Sequence, residues 1–301
     1  MSDISLAALQ TLSPYSARFE RMFRRVAIVT DSTACLPQQL TDQLGVRVAQ
    51  LQVRIGTVVD DEARVPVPKL VDALRGQVDV GTSPPDPGAF YWAYSDAAAS
   101  GVDAIVSLHI STGMSQTVEA ARQAAAQVRV PVHVVDTQTC GMSLGYAVVA
   151  AATVAAAGGD VNRVLAAAQH SLRHSSELFY VDTLEYLRRG GRIGRATALL
   201  GSALSMKPLL TVVDGQITPL DKVVGGERAM RKLIDIAVER AGRAAVDIAV
   251  EHFDAAERAG KVLDQLRAKL PTVRRFLVTQ VSSAIGAHVG PGALGVTVSP
   301  V

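Results

Sequence analysis

Hydrophobic positions fall into short unbroken runs separated by longer, helix-compatible stretches. Val26 to Thr30 is the first run, Ala104 to Ile110 another and Val132 to Asp136 a third. Runs of this length without polar alternation fit strands covered on both faces. Between them the pattern predicts a helix over Pro37 to Leu44, with proline in the first turn, a strand over Val46 to Val53, and loop and helix from Asp60 to Val80. Helices are predicted over Ala89 to Ala99, Gln116 to Val128 and Leu144 to Ala157. The segment Gly81 to Gly88 is rich in turn residues, and Pro84 pushes Ser83 into an extended conformation. Alternating strands and helices predict an α/β fold whose N-terminal part is a mainly parallel sheet with helices on both faces.

The pattern changes after about residue 172. Short strands are expected at Phe179 to Thr183, Leu209 to Val213, Ile217 to Val224, Val246 to Val250, Arg275 to Gln280 and Leu294 to Val298. Asp214-Gly215 reads as a hairpin turn. Helices are expected at Leu184 to Gly191, Ala196 to Met206, Glu227 to Ala241 and Ala255 to Leu270. The C-terminal part is therefore a smaller α+β domain with antiparallel pairing. The expected division is an N-terminal extension over residues 1–25, one domain over 26–172 and a second over 173–301. No low-complexity linker separates the halves, so their interface is a natural place for a ligand.

Composition narrows the function classes. The net charge of +2, from 30 basic and 28 acidic residues, leaves no electrostatic footprint for nucleic acid. Two cysteines in 301 residues exclude a disulfide scaffold and suit a reducing, cytoplasmic compartment. A mean hydropathy of +0.23 raises the question of a membrane span. The most apolar stretch, Leu144 to Ala157, is too short to cross a bilayer and reads as a buried helix. Residues 1–25 mix Leu6, Leu9, Phe19 and Phe23 with Arg18, Arg21, Arg24 and Arg25, an amphipathic pattern that fits an extension or transient membrane-surface contact.

Three expected strands end in hydroxyl-rich loops: Asp31-Ser32-Thr33, Ser111-Thr112 and Asp136-Thr137, with Thr82-Ser83 as a fourth. Ligands of open α/β sheets bind beyond such strand ends, where hydroxyls and helix N-terminal amides favour an anion. Gly290 to Gly295 matches the spacing of a dinucleotide loop, yet the residues that follow read as a strand, which rules that out. His170 and His174 share a helical face without a third metal ligand. His109 and His133 read as core or edge residues of strands, and Cys35 and Cys140 as small residues at strand-to-helix corners. His288 stands apart, in a glycine-rich segment read as a shaped loop that displays it to a ligand.

The motifs Ile28-Val29-Thr30-Asp31-Ser32-Thr33-Ala34, Thr82-Ser83-Pro84-Pro85, Ile110 to Thr117, Val181 to Leu187 with Gly190-Gly191-Arg192-Ile193, Lys207-Pro208, Asp214-Gly215 and Ala287 to Ala293 run in order along the chain. Together they resemble the signatures of the DegV family. Departures are Pro84 where the family often has Gln, Cys35 where Asp is common, and Gln116 in place of Gly. The resemblance implies two α/β-type domains enclosing one long-chain fatty acid, such as palmitate or oleate, as ligand and no cofactor or metal. It implies a carboxylate held by Thr82, Ser115 and His288, with Arg192 near the head group or a partner. It further implies a monomeric lipid carrier, not an enzyme, that presents its lipid to a separate fatty acid kinase for acyl phosphate formation. Two other readings use the same residues. One is a serine hydrolase or acyltransferase with Ser115 as nucleophile, His288 as base and Asp31 or Asp136 orienting it. The other is a receptor for a sugar or nucleotide phosphate.

Overall fold

The computed structural model describes residues 25–199, 201 and 206–301. The amphipathic pattern of the N-terminal extension therefore lies, but for Arg25, outside the described residues. The chain runs β1 (Val26–Asp31), α1 (Gln38–Leu44), β2 (Arg47–Ala49), β3 (Gln52–Ile55), β4 (Val58–Asp61), α2 (Val67–Arg75), β5 (Val80–Ser83), α3 (Pro87–Ala99), β6 (Ala104–His109), α4 (Thr117–Ala125), β7 (Val132–Asp136), α5 (Gly141–Ala156) and α6 (Val161–His174). It continues with β8 (Ser176–Tyr180), α7 (Glu185–Arg189), β9 (Met206–Val213), β10 (Gln216–Val224), α8 (Gly226–Ala241), β11 (Val246–His252), α9 (Ala256–Lys269), β12 (Arg275–Gln280), α10 (Ser283–Val289) and β13 (Leu294–Pro300).

Strands β2-β1-β6-β7 form a wholly parallel sheet. All six side chains of β1 and of β6 are buried, as their unbroken apolar runs require. One face packs Leu144, Val148 and Ala151 of α5 against Ile28, Val106 and Leu108. The other packs Phe90 and Tyr94 of α3 and Ala121 of α4 against Val29 and Ile105. The second sheet, β10-β9-β8-β13-β11-β12, is antiparallel except for the β11–β12 pair. Its outer face is covered by α8 and α9 through Leu233, Ile234, Val262 and Leu266. The fold is thus a two-domain α/β architecture with parallel and mixed sheets flanked by helices.

A third, small sheet, β4-β3-β5, sits between these layers. Val53 of β3 and Leu70, Val71 and Leu74 of α2 pack against Val181, Leu210 and Phe253 of the second sheet and its loops. Helix α5 also bridges the halves, because Met142 and Tyr146 near its start meet Ala249 of β11. Nearly all of its first half is buried, which explains a stretch apolar on every side.

The sequence pattern misplaces several boundaries. Val46 to Val53 is not one strand: the chain leaves the parallel sheet at Ala49 and joins the small sheet at Gln52. A continuous apolar run carries no mark of which sheet each half joins. The strand expected at Phe179 to Thr183 lies earlier, at Ser176–Tyr180. The helix expected over Ala196 to Met206 is a short 3-10 turn over Gly194–Leu199, and Met206 begins β9; residues 200 and 202–205 lie outside the described residues. The hairpin stands where expected, with Asp214 and Gly215 at φ 50° and 73°, as its tight turn demands.

Candidate functional site

Thr82 lies in β5 opposite Val53 of β3, so the small sheet fixes its direction. His288 occupies the last turn of α10, not a loop. Ser282 caps that helix, its Oγ accepting the Ile285 N–H at 3.2 Å, and the buried Glu62 carboxylate accepts the Ala284 N–H at 2.7 Å. Glycines at 286 and 290 misled the loop expectation. They serve close approach: a Cβ at Gly286 would strike the Phe253 ring and one at Gly290 the Tyr186 ring. The two segments meet so that Thr82 Oγ1 lies 2.7 Å from His288 Nε2.

Ser115 is delivered by the loop after β6. The Ser111 carbonyl accepts the N–H groups of Met114 and Ser115, at 2.9 and 3.0 Å, which tightens the loop into a turn. Ser111 Oγ donates to the Gly215 carbonyl at 2.8 Å and so ties this loop to the β9–β10 turn of the other half. Ser115 Oγ accepts the Thr117 N–H at the start of α4, at 3.3 Å, and lies 2.7 Å from Thr117 Oγ1. Arg192 is braced by the Met114 carbonyl at 3.0 Å and the Gly190 carbonyl at 2.6 Å.

Thr82, Ser115, Arg192 and His288 all line one cavity. Much of its wall is hydrocarbon, contributed by Ile110, Phe179, Leu187, Ile217, Phe253 and Ile285. Of the hydroxyl loops singled out at strand ends, Thr33, Thr82 and Ser83 reach this cavity. Asp136 does not serve it: its carboxylate holds the Thr112 and Gln138 N–H groups.

Burial, and secondarily the Arg192 charge, push the His288 pKa down to about 4. The ring is therefore neutral at pH 7. Its Nδ1 is buried without a partner, packed where a Cβ on Gly190 would overlap it. A bare lone pair there costs less than an unpaired N–H, so the ring proton belongs on Nε2. Nε2–H then donates to Thr82 Oγ1, and the threonine's own hydrogen stays free for a ligand. Gly190→Ala has no backbone penalty at φ −72° but drives a methyl into the imidazole. We expect it to destabilise the fold by about 1–3 kcal/mol and to weaken ligand binding with it, read by thermal melts and titration.

A depressed histidine pKa means that the unfolded chain binds more protons between pH 4 and 6.5. The contribution of His288 to stability is thus fully present above pH 6.5 and is lost as pH falls towards 4. Relative to His288→Asn, the wild type should lose up to about 3 kcal/mol across that window, measured by urea unfolding at several pH values.

The hydrolase arrangement is not assembled. His288 faces Thr82, no carboxylate among the described residues bonds its Nδ1, and Ser115 bonds to Thr117. Asp31 instead accepts from Ile110 N–H at 3.1 Å and lies 2.9 Å from His109 Nδ1, fully buried. His109 is thus a satisfied core residue, whereas His133, His170 and His174 are exposed. The thiols of Cys35 and Cys140 are pushed well up, chiefly by burial, so neither is a reactive thiolate. No group of three or more His, Cys, Asp or Glu side chains placed to hold a metal occurs among the described residues, and none of their helices is long and apolar enough to cross a membrane.

Sequence reasoning passed over two further wall residues, Glu177 and Glu251, both buried. The available signal was an acid inside each apolar strand.

A largely apolar cavity between the two α/β halves thus carries hydroxyls, an imidazole, one arginine and two buried acids on its wall. A sequence model described as "Uncharacterised protein, DegV family" matches residues 25–301. A DegV domain-containing protein of Streptomyces coelicolor is 47% identical over 279 residues, covering 92% of this chain and 99% of that one. The chain belongs to the DegV family. Among solved structures, the fatty acid-binding DegV family protein of Thermus thermophilus is 31% identical with a TM-score of 0.87, covering 92% of this chain and 100% of that one. DegV of Bacillus subtilis, also described as a fatty acid-binding protein, is 28% identical with a TM-score of 0.84 over the same shares.

Proposed function

We propose that this protein binds one long-chain fatty acid in the cavity, its carboxylate held by Thr82, Ser115 and His288, with Arg192 beside the head group. The observation that carries this is the Thr82–His288 pair set with Ser115 and Arg192 on the wall of one largely apolar cavity. A carboxylate withdrawn from water needs two or three donors. The Thr82 hydroxyl, relayed from a neutral imidazole, and the Ser115 hydroxyl supply them, and Arg192 supplies countercharge without full burial of an ion pair. The acyl chain needs only a dry wall, each buried CH₂ contributing about 0.8 kcal/mol.

The same wall does no covalent chemistry in this reading. The lipid is carried, and the exposed end of its carboxylate is offered to a separate fatty acid kinase that transfers the terminal phosphoryl group of ATP to it, forming acyl phosphate. That step rests on the family resemblance and on Arg192, which stands among the carboxylate-binding residues on the same wall.

Native mass spectrometry tests the binding claim. Delipidated protein incubated with palmitate or oleate should gain the mass of one acid per chain. A chain that takes up neither acid contradicts the proposal.

A further inference from the structure

The cavity wall has a second polar patch, built from elements other than those that hold Thr82, Ser115 and His288. Glu177 of β8 and Glu251 of β11 lie on either side of Thr297 of β13, and both line the cavity. The two glutamates are 7% and 1% exposed. Thr297 Oγ1 lies 2.7 Å from a Glu177 oxygen and 2.8 Å from a Glu251 oxygen. One hydroxyl hydrogen serves only one acceptor. The other carboxyl must therefore be protonated, and the pair holds at least one proton and at most one negative charge. Burial and mutual repulsion raise the Glu177 pKa well above the usual range, which agrees with that count.

The start of α5 supports the pair. Met142 N–H donates to Glu251 Oε1 at 2.9 Å and Ser143 N–H to Glu177 Oε2 at 3.2 Å. Glycine is needed on both sides of the acids. A Cβ at Gly141 would stand 2.9 Å from Glu251 Oε1, and one at Gly295 would press on the Glu251 side chain at 3.3 Å. Gly141 and Gly295 line the cavity too, so no side chain screens the carboxyls from its contents. The donor inventory is short. Two amides and one hydroxyl reach three of the four carboxyl oxygens, and the bound proton supplies one further donor. Glu177 Oε1 receives none of these amide or hydroxyl bonds, in a cavity lined largely by hydrocarbon.

We propose that the Glu177–Glu251 pair is a specificity element for the acyl chain of the ligand, and that the preferred lipid is a long-chain acid bearing a hydroxyl group along or at the end of its chain. This rests on the fatty acid reading of the cavity. A methyl or methylene group laid against the pair leaves its lone pairs unfilled, whereas a hydroxyl donates to them. A hydrogen bond to a charged acceptor out of water is worth roughly a tenfold to hundredfold gain in affinity.

The test is calorimetric titration of the delipidated full chain with palmitate and with a panel of monohydroxypalmitates substituted at mid-chain and at the terminal carbon. At least one hydroxy isomer should bind about tenfold or more tightly than palmitate. In Glu177→Leu that advantage should disappear while palmitate binding is kept or improved. Glu251→Gln keeps the side-chain shape and should reduce the advantage without loss of folding, so it serves if the leucine variant does not fold. Palmitate binding as tightly as every hydroxy isomer, or a hydroxy preference untouched by both substitutions, overturns the inference. Failure of every acid to bind would instead remove the fatty acid reading on which it rests.

Discussion

His288→Ala is expected to weaken binding of a long-chain acid by roughly tenfold to a hundredfold, because the Thr82 hydroxyl that donates to the charged carboxylate is no longer held in place. The imidazole is held on one side by packing against Gly190 and on the other by Thr82. Without it the Thr82 hydroxyl loses the donor that orients it and turns freely. Thr82→Ala should cost a similar amount, because it removes the hydrogen that reaches the ligand. The two residues act as one relay, so the double variant should cost less than the sum of the single changes. Ser115→Ala removes an independent donor and should add to either. Titration calorimetry with palmitate reads all four proteins. Full additivity of Thr82 and His288 would show that the relay does not exist.

The largest loss of stability is expected at Asp31→Asn. Asp31 is fully buried, and its two oxygens receive the Thr33 and Ile110 N–H groups, the Thr33 hydroxyl and the His109 ring. His109 in turn reaches Ser107 at 2.6 Å, and Ser107 reaches Tyr94 at 2.8 Å. An amide in place of one oxygen points donors at donors in a site closed to water. We expect about 3 kcal/mol or more of destabilisation, a fall in Tm of several degrees. The damage should not stay local. Ile110 opens the segment that carries Ser115, so lipid affinity should fall in the folded fraction as well. A melting temperature unchanged by this substitution would contradict the account of the strand ends.

Much of this was legible in the sequence because the relevant signals are local. The buried strands β1 and β6 announce themselves as unbroken apolar runs, and the Asp214-Gly215 turn by residue type. Thr82, Ser115, Arg192 and His288 follow from ordered motifs that resemble those of the family, and all four line one cavity. What stayed hidden depends on contacts between distant segments. The small sheet is hidden because Val46 to Val53 looks like one strand, although the chain leaves one sheet at Ala49 and joins another at Gln52. His288 reads as part of a glycine-rich shaped loop, whereas it lies in a helix whose neighbouring glycines 286 and 290 make room for Phe253 and Tyr186. Sequence order alone lets Asp31 pair with His288, yet β1 and β6 are neighbours, and this pairing delivers it to His109. The acid pair at Glu177 and Glu251 arises from strands joined only through β13, a relation no sequence spacing reveals.

The central claim is most directly tested by a crystal structure of the chain with palmitate bound. The carboxylate is predicted within about 3.2 Å of both Thr82 Oγ1 and Ser115 Oγ, with His288 Nε2 still against Thr82 and the chain threaded between Ile110, Leu187 and Phe253. A palmitate whose carboxylate lies elsewhere, or an acid seated outside this cavity, would contradict it.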